Sequence, residues 1–265
     1  MKEKLLQKIE RGNLTFSDKE TQWLMRNIGN EDPIIRDNIV FTLLAGGIVE
    51  GSFTLQQFNY IKEKTISDDL IFYYIDKKLP YTLKRSFAAL LNGFIIQADN
   101  ESDSPYYNLL TKSERDYFFN TSINYLKKET DKIGFSSDYG GVHAFAHGGD
   151  YLSKSIVHRY FDKNKIKDVL SNITFILDSL EEPFKDEEEC RIANIIYEAL
   201  LSGKLEQIMF KEWIETLDFP LEKNKDFYRL ATFKHMLAYI YFHSLDKFKL
   251  DEELEKIMLV YLKKY

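Results

Sequence analysis

The chain has 265 residues and a formal net charge of −6, with acidic and basic residues mixed along its length. Binding to nucleic acid requires a cationic stripe, so this charge pattern argues against a nucleic-acid partner. The first residues lack the apolar core of a signal peptide, and no run approaches the roughly 18 apolar residues of a membrane span, so we expect a cytoplasmic protein with no membrane partner. The single Cys190 excludes an intramolecular disulfide and a cysteine-based zinc site.

Helical periodicity runs along nearly the whole chain, in which glycine and proline are scarce at 12 and 5 residues. Because few breakers and many large apolar side chains favour continuous helices, we predict an all-α fold. Short connections favour stacked helical hairpins within a single domain over residues 1–265, arranged either as an α-solenoid of the HEAT or armadillo type or as an irregular α/α array. The predicted helices span residues 2–10, 17–28, 33–50, 54–64, 67–76, 80–98, 112–130, 141–160, 164–180, 205–217, 225–245 and 251–263, with another beginning near 187.

Local capping signals mark several of these helix starts. Ser17 and Thr111 each precede a glutamate at the capping-box spacing, and the Asp32-Pro33 pair reads as an N-cap followed by a first-turn proline. The helix from near residue 187 begins with acidic residues, which suit the positive end of the helix dipole, and continues into the apolar stripe of RIANIIYEALLSG.

Charged residues stand beside apolar stretches in two of the predicted helices. Arg36 and Asp37 lie in DPIIRDNIVFTLL, and Arg85 lies in YTLKRSFAALLNGF. Stacked helices commonly hold such arginines by pairing them with carboxylates between layers. Alternatively, the same residues could bind the carboxylate or phosphate of a ligand, so they are candidate ligand-binding residues.

The segment YGGVHAFAHGGD, residues 139–150, contains the most distinctive pattern of the chain. On one continuous helix, His143, His147, Asp150, Lys154 and His158 would fall within roughly 80° of arc, opposite an apolar face. Such a helix would present a stripe of imidazole and charge, with Lys154 as a further ligand-binding candidate and His158 at the surface.

The spacing of His143, His147 and Asp150 is suited to binding a divalent metal, because imidazole and carboxylate are ligands for Zn, Mn, Fe or Ni. Asp150 could instead accept a hydrogen bond behind His147. Ala144 occupies the place of the glutamate in the zinc-protease HExxH motif, so a general base must come from elsewhere. Glu129 and Asp131 are the candidates for a catalytic base or an additional ligand, if the glycine-containing loop after them folds back over the histidines.

Two alternatives to a metal site remain open for this segment. The histidines and Asp150 could form a structural polar network, or they could line a metal-free binding pocket. Gly148 and Gly149 sit inside the helical pattern, where each costs about 1 kcal/mol relative to alanine. Either the close approach of another helix or room for a ligand would explain them.

Four segments together resemble an uncharacterised bacterial family, domain of unknown function 2785: RD (36–37), RSFAAL (85–90), ETDKIG (129–134) and HAFAHGGDYL (143–152). The resemblance covers roughly residues 30 to 245 and is most specific in the His-x-x-x-His-x-x-Asp block. The chain departs from the family pattern at Ile133, where an arginine is usual, and at Gly141, where a tryptophan is usual. The resemblance implies an all-helical, repeat-like protein without an established activity.

We therefore expect a small-molecule or peptide binding protein, with a metal at His143, His147 and Asp150 as one form of its site. One alternative is a helical scaffold for protein partners in which the histidine segment only ties helices together. The other is a metal-dependent hydrolase, which requires an open coordination position and a carboxylate beside the bound water.

Overall fold

The computed structural model describes residues 1–12 and 14–264 and is all-α, as predicted. A π-helix at Ile34–Phe41 leads into α3, and two short 3₁₀ segments lie at Leu70–Phe72 and Lys163–Lys165. Two-residue strands β1 (Phe135–Ser136) and β2 (Gly140–Gly141) pair in antiparallel fashion. The α-helices are α1 (Lys2–Glu10), α2 (Asp18–Arg26), α3 (Thr42–Val49), α4 (Leu55–Ser67), α5 (Tyr81–Asn100), α6 (Lys112–Lys128), α7 (Ala144–Ile156), α8 (Ile166–Asp178), α9 (Glu188–Leu201), α10 (Gln207–Thr216), α11 (Asn224–Ser244) and α12 (Glu252–Leu262).

Helix α7 lies in the middle of the array. It packs against α5 on one side and α9 on the other, α9 packs against α11, and α6 covers α7 and contacts α8. Buried apolar side chains form one continuous cluster that runs from Leu5 to Met258. Within the described part of the chain, no helix is both long enough and apolar enough to cross a bilayer.

The predicted capping boxes are confirmed. The Ser17 hydroxyl accepts a hydrogen bond from the backbone N–H of Glu20, whose carboxylate accepts one from the Ser17 N–H at 2.7 Å. Thr111 and Glu114 make the same reciprocal pair at the start of α6. Asp32 also caps as expected, because its carboxylate accepts from the Ile34 N–H at 2.9 Å.

The prediction of a helix over residues 67–76 is wrong, and the reason lies in α5. Only a 3₁₀ turn forms there, between Asp69 and Tyr74, which both have a φ of 45°. The carbonyls of Tyr73, Tyr74 and Lys77 turn toward the guanidinium group of Arg85 and accept its hydrogen bonds at 2.8–3.1 Å. These hydrogen bonds, together with the left-handed backbone at Asp69 and Tyr74, hold the segment in a non-helical conformation.

The predicted helix over residues 141–160 is shorter at both ends. The Gly134 carbonyl accepts hydrogen bonds from the N–H groups of Val142 and His143, at 2.8 and 3.1 Å, which keeps these two residues out of the helix. At the other end, α7 stops at Ile156 and His158 lies in the following turn. His158 was predicted to be a surface residue, and this is wrong: it is fully buried with Nε2 3.1 Å from Asp99 Oδ2.

Close helix packing explains the two glycines inside α7. A Cβ at Gly148 would lie 2.6 Å from the Leu126 side chain on α6. A Cβ at Gly149 would lie 2.8 Å from the backbone carbonyl oxygen of Arg191 on α9. Both distances are shorter than van der Waals contact, so the glycines allow α6 and α9 to approach α7 from different directions.

Candidate functional site

His143 is the N-cap residue of α7 and has a left-handed backbone conformation, with φ 47°. Its Nδ1 lies 3.2 Å from a carboxylate oxygen of Glu188, the first residue of α9. This hydrogen bond is the main reason why the pKa of His143 is raised, since partial burial acts in the opposite direction. The imidazole is one-third exposed, so its remaining edge is open to solvent.

His147, in the first turn of α7, has a defined tautomer. The Ser86 hydroxyl hydrogen-bonds to the Val142 carbonyl, which can only accept, and lies 2.7 Å from Nδ1 of His147. Because a hydroxyl has one hydrogen, Ser86 donates to Val142 and Nδ1–H of His147 donates to Ser86. Nε2 of His147 is then an acceptor, and no residue within 1–12 or 14–264 hydrogen-bonds to it.

Burial is the main cause that lowers the pKa of His147, to about 3, and the nearby charges of His143 and Arg191 act in the same direction. The ring is therefore neutral at physiological pH. A neutral imidazole with an unpartnered Nε2 can accept a hydrogen bond from a ligand or accept a proton.

Asp150, one turn further along α7, forms an ion pair with Arg191 of α9 at 3.1 Å. Burial raises the pKa of Asp150, while the charge of Arg191 and its hydrogen bond partly offset that effect. The Arg191 side chain is 58% exposed and uses only Nη1 in this pair. Its Nη2 and Nε groups donate no hydrogen bond to any residue within 1–12 or 14–264.

His143, His147, Asp150 and Arg191 line one cavity of about 320 Å³, which we call the histidine pocket. Its other walls are an apolar group, an acidic pair and the thiol of Cys190, whose pKa is raised by burial and nearby glutamates. The apolar group is Phe41, Leu90 and Ala146, and the acidic pair is Asp186 and Glu187.

A second cavity, of about 260 Å³, continues along α7 and shares Asp150 with the first. Lys154 lines it, with Nζ above the Phe94 ring and hydrogen-bonded to Gln97. Burial lowers the pKa of Lys154. The polar stripe predicted on this helix thus forms the floor of two adjoining cavities between α5 and α9, although His143 joins it from the N-cap and His158 does not take part.

Arg36 and Asp37 hold the segment that leads into the histidine pocket. The guanidinium group of Arg36 is fully buried, forms hydrogen bonds with both Asp37 oxygens at 2.8 and 3.1 Å, and donates to the carbonyls of Tyr139 and Gly141 at 2.7 and 3.0 Å. It also lies 4.9 Å from the centre of the Phe87 ring. These contacts fix β2 immediately before His143, so Arg36 positions the site without lining the cavity.

The structure does not bring Arg85, Glu129 or Asp131 to the histidine pocket. Arg85 and Glu129 form a fully buried ion pair with N–O distances of 2.8 and 3.0 Å. Asp131 accepts hydrogen bonds from the Thr82 hydroxyl at 2.6 Å and from the Leu79 N–H at 3.2 Å. The loop after Asp131 thus does not fold either carboxylate over the histidines.

Comparison with known proteins provides one match. Residues 71–242 match the family described as protein of unknown function, DUF2785. The chain belongs to this family. The matched region contains the whole of α5 to α9, including His143 and His147, but begins after Arg36 and Asp37. No curated protein and no solved structure matches the chain.

A metal site at His143, His147 and Asp150 stays a prediction for this DUF2785 member. In the part of the chain that the structure describes, no group of three or more His, Cys, Asp and Glu residues is placed to hold one ion. His143, His147 and Asp150 share a cavity, but Nδ1 of His143 faces Glu188 and Asp150 faces Arg191. In these contacts, His143 forms a hydrogen bond and Asp150 an ion pair.

Sequence reasoning missed Glu188 and Arg191, the two charged partners on α9. Both lie in DEEECRIANII, which contains the start of the helix predicted near 187. The acidic residues there indicate only a favourable interaction with the helix dipole, and nothing in the segment points to α7. Their approach to α7 depends on Gly149, where close contact with another helix was one of the two expected explanations.

Proposed function

We propose that this DUF2785 protein is a binding protein for a small ligand, which it holds in the histidine pocket. The observation that carries the proposal is the neutral His147, which lines a cavity and whose Nε2 acceptor has no hydrogen-bond partner in the described part of the chain. The His147 side chain is half-buried, and a polar atom in such a place needs water or a ligand as its hydrogen-bond partner. The free donors of Arg191 lie in the same cavity.

Backbone strain at the pocket supports this proposal. His143 and Glu187 are the N-cap residues of α7 and α9, and both are non-glycine residues with positive φ, at 47° and 61°. Such conformations cost about 1–3 kcal/mol each and cluster at functional sites. Both side chains line the histidine pocket.

Cys190 provides a direct test, because it is the chain's only cysteine and lines the pocket. The rate of its alkylation by iodoacetamide, followed by intact-mass spectrometry, should fall when a ligand occupies the cavity. We would screen a library of small polar fragments, and separately Zn²⁺ and Ni²⁺, for protection of this thiol. A hit should also shift the NMR signals of the His147 ring.

The matched variants are His147→Ala and His243→Ala, because His243 is exposed at the end of α11. The proposal predicts that protection by a fragment is lost in His147→Ala and kept in His243→Ala. It fails if no fragment or ion protects Cys190 in the folded protein, or if protection does not depend on His147. Protection by the metal ions alone would indicate a metal site at the histidines only if it were lost in His147→Ala, because these ions can also bind the Cys190 thiolate directly.

A further inference from the structure

The charges that line the histidine pocket are of both signs and are close together. Arg191 contributes Nη2 and Nε as unpaired donors, and Glu187, four residues earlier, contributes a carboxylate that forms no ion pair with any described residue. Glu187 is the N-cap residue of α9 and Arg191 lies in the first turn of that helix, so both groups stand at the same end of α9. The two charges do not neutralise each other here, because Arg191 turns to Asp150 instead.

A ligand that satisfies both groups must therefore carry an anion and a cation only a few bonds apart. A carboxylate is the anion that matches the forked donors of a guanidinium group. An ammonium group has three donors, which suits the carboxylates of Glu187 and Asp186 together with Nε2 of His147.

The remaining wall limits the size and polarity of the ligand. Phe41, Leu90 and Ala146 form an apolar surface on the same cavity. Its volume of about 320 Å³ lies at the lower end of the roughly 300–1,000 Å³ that ligand pockets span. There is room for a small ligand with a short apolar side chain.

We infer that the ligand of the histidine pocket is a free α-amino acid with an apolar side chain, whose carboxylate binds Arg191 and whose ammonium group binds Glu187, Asp186 and His147. This inference rests on the proposed binding function and names its ligand class. The α-amino acid satisfies the pocket because both charges are attached to one carbon, next to the apolar group.

The test compares L-leucine and L-phenylalanine with analogues that lack one charge. Isopentylamine has no carboxylate and 4-methylpentanoate has no ammonium group, while both keep the apolar body of leucine. Isothermal titration calorimetry and protection of Cys190 from iodoacetamide would be measured for each probe. We expect at least one of the two amino acids to bind, and the analogues that lack one charge to bind at least about tenfold more weakly, since each removes charge-assisted hydrogen bonds.

Two variants test which residue binds each charged group of the ligand. Arg191→Gln removes the partner of the ligand's carboxylate, so the variant should bind the amino acid no more tightly than isopentylamine. Glu187→Gln removes a partner of the ammonium group, so that variant should bind the amino acid no more tightly than 4-methylpentanoate. Lys112→Gln, on the exposed face of α6, should leave the preference for the amino acid over both analogues unchanged. Thermal melting of each variant without ligand would verify that the protein is folded.

Equal or tighter binding of the amine would make the pocket a cation site, equal or tighter binding of the carboxylate would make it an anion site, and either result would overturn the inference. The inference also fails if neither amino acid binds while fragments still protect Cys190, and in that case the proposed binding function stands. If neither amino acids nor fragments protect Cys190, the binding function itself is wrong.

Discussion

Two charged clusters in this protein use similar residues in opposite ways. In the buried cluster of Arg85 and Glu129, both side chains are fully buried and every N–H group of the guanidinium has an acceptor. In the histidine pocket, Arg191 is largely exposed, and among the described residues it pairs with Asp150 alone and Nε2 of His147 has no hydrogen-bond partner. A cluster whose hydrogen bonds are complete serves the fold, whereas a cluster with unused donors and acceptors at a cavity can serve a ligand.

Removing one partner of the buried cluster should give the largest loss of stability. We expect Arg85→Met or Glu129→Gln to lower the free energy of unfolding by about 3–5 kcal/mol, because each leaves an uncompensated buried charge. Urea denaturation followed by circular dichroism would measure the loss. Lys112→Ala, which removes an exposed ion pair with Asp116, is the control and should change stability by no more than about 0.5 kcal/mol.

A variant of Arg191 would sharpen the contrast between the buried cluster and the histidine pocket. Arg191→Ala should cost less than Arg85→Met, because the Arg191 side chain is largely exposed to solvent whereas Arg85 is fully buried. A loss for Arg191→Ala as large as that for Arg85→Met would show that the pocket is also structural. It would remove the distinction on which the proposed function depends.

Substitution of Gly149 should give the next largest loss of stability. Gly149→Ala places a Cβ about 2.8 Å from the Arg191 carbonyl oxygen, so α9 must shift away from α7. We expect a destabilisation of about 1–3 kcal/mol, as for other overpacked interfaces. Thermal or urea unfolding would measure it.

Gly46→Ala in α3 is the matched control for this substitution. Its Cβ would meet only the Leu14 side chain, at an ordinary 3.5 Å. We expect it to stabilise the protein by up to about 1 kcal/mol, since alanine is the better helix former. Equal effects at the two glycines would contradict the close packing of α7 and α9.

The local parts of this fold could be predicted from the sequence, and the non-local parts could not. The capping boxes at Ser17 and Thr111 use residues three apart, so their pattern is visible in the chain itself. The left-handed turn at His143 depends on the Gly134 carbonyl and on the β2 segment, which Arg36 holds from more than 100 positions away. No local periodicity carries that information.

The candidate site shows the same division. His143, His147 and Asp150 were selected because they share one helical face, and the structure places all three at one cavity. What determines their chemistry is the residues opposite: Ser86 fixes the tautomer of His147, Glu188 binds His143 and Arg191 pairs with Asp150. These partners lie 41 to 61 positions away along the chain. Helical periodicity and capping motifs relate residues only a few positions apart, so they could not identify these partners.

The pH dependence of stability should distinguish His147 from an exposed histidine. The pKa of His147 is about 3 in the folded protein against an ordinary value of 6.5, so below pH 6.5 the unfolded chain binds a proton that the folded chain does not. Stability should therefore fall as the pH drops from 6.5 toward 3, by up to about 1.4 kcal/mol per pH unit from this group.

His147→Gln should remove that contribution and flatten the fall in stability between pH 7 and pH 5, as measured by urea unfolding at each pH. The exposed His243→Gln should leave the slope unchanged. An unchanged slope in His147→Gln would mean that His147 is protonated in the folded state. It could then no longer act as the neutral acceptor that the ligand hypothesis requires.

The smallest expected effect on stability concerns His143, whose pKa is raised, whereas the pKa of His147 is lowered. Its interaction with Glu188 stabilises the fold below pH 6.5, and this contribution is lost as the pH rises through the raised pKa of His143. Glu188→Gln should therefore lower the pKa of His143 and destabilise the protein more at pH 5 than at pH 8. Because His143 is one-third exposed, the difference should be below about 1 kcal/mol.

An NMR titration of the imidazole signals would measure this change directly. Glu189→Gln is the control, since Glu189 lies 3.1 Å from His235 and is not hydrogen-bonded to His143. If the pKa of His143 is the same in Glu188→Gln as in the unmodified protein, Glu188 does not hold the imidazole in its charged form. The left-handed turn and the Gly134 carbonyl would then be what orients His143 at the pocket.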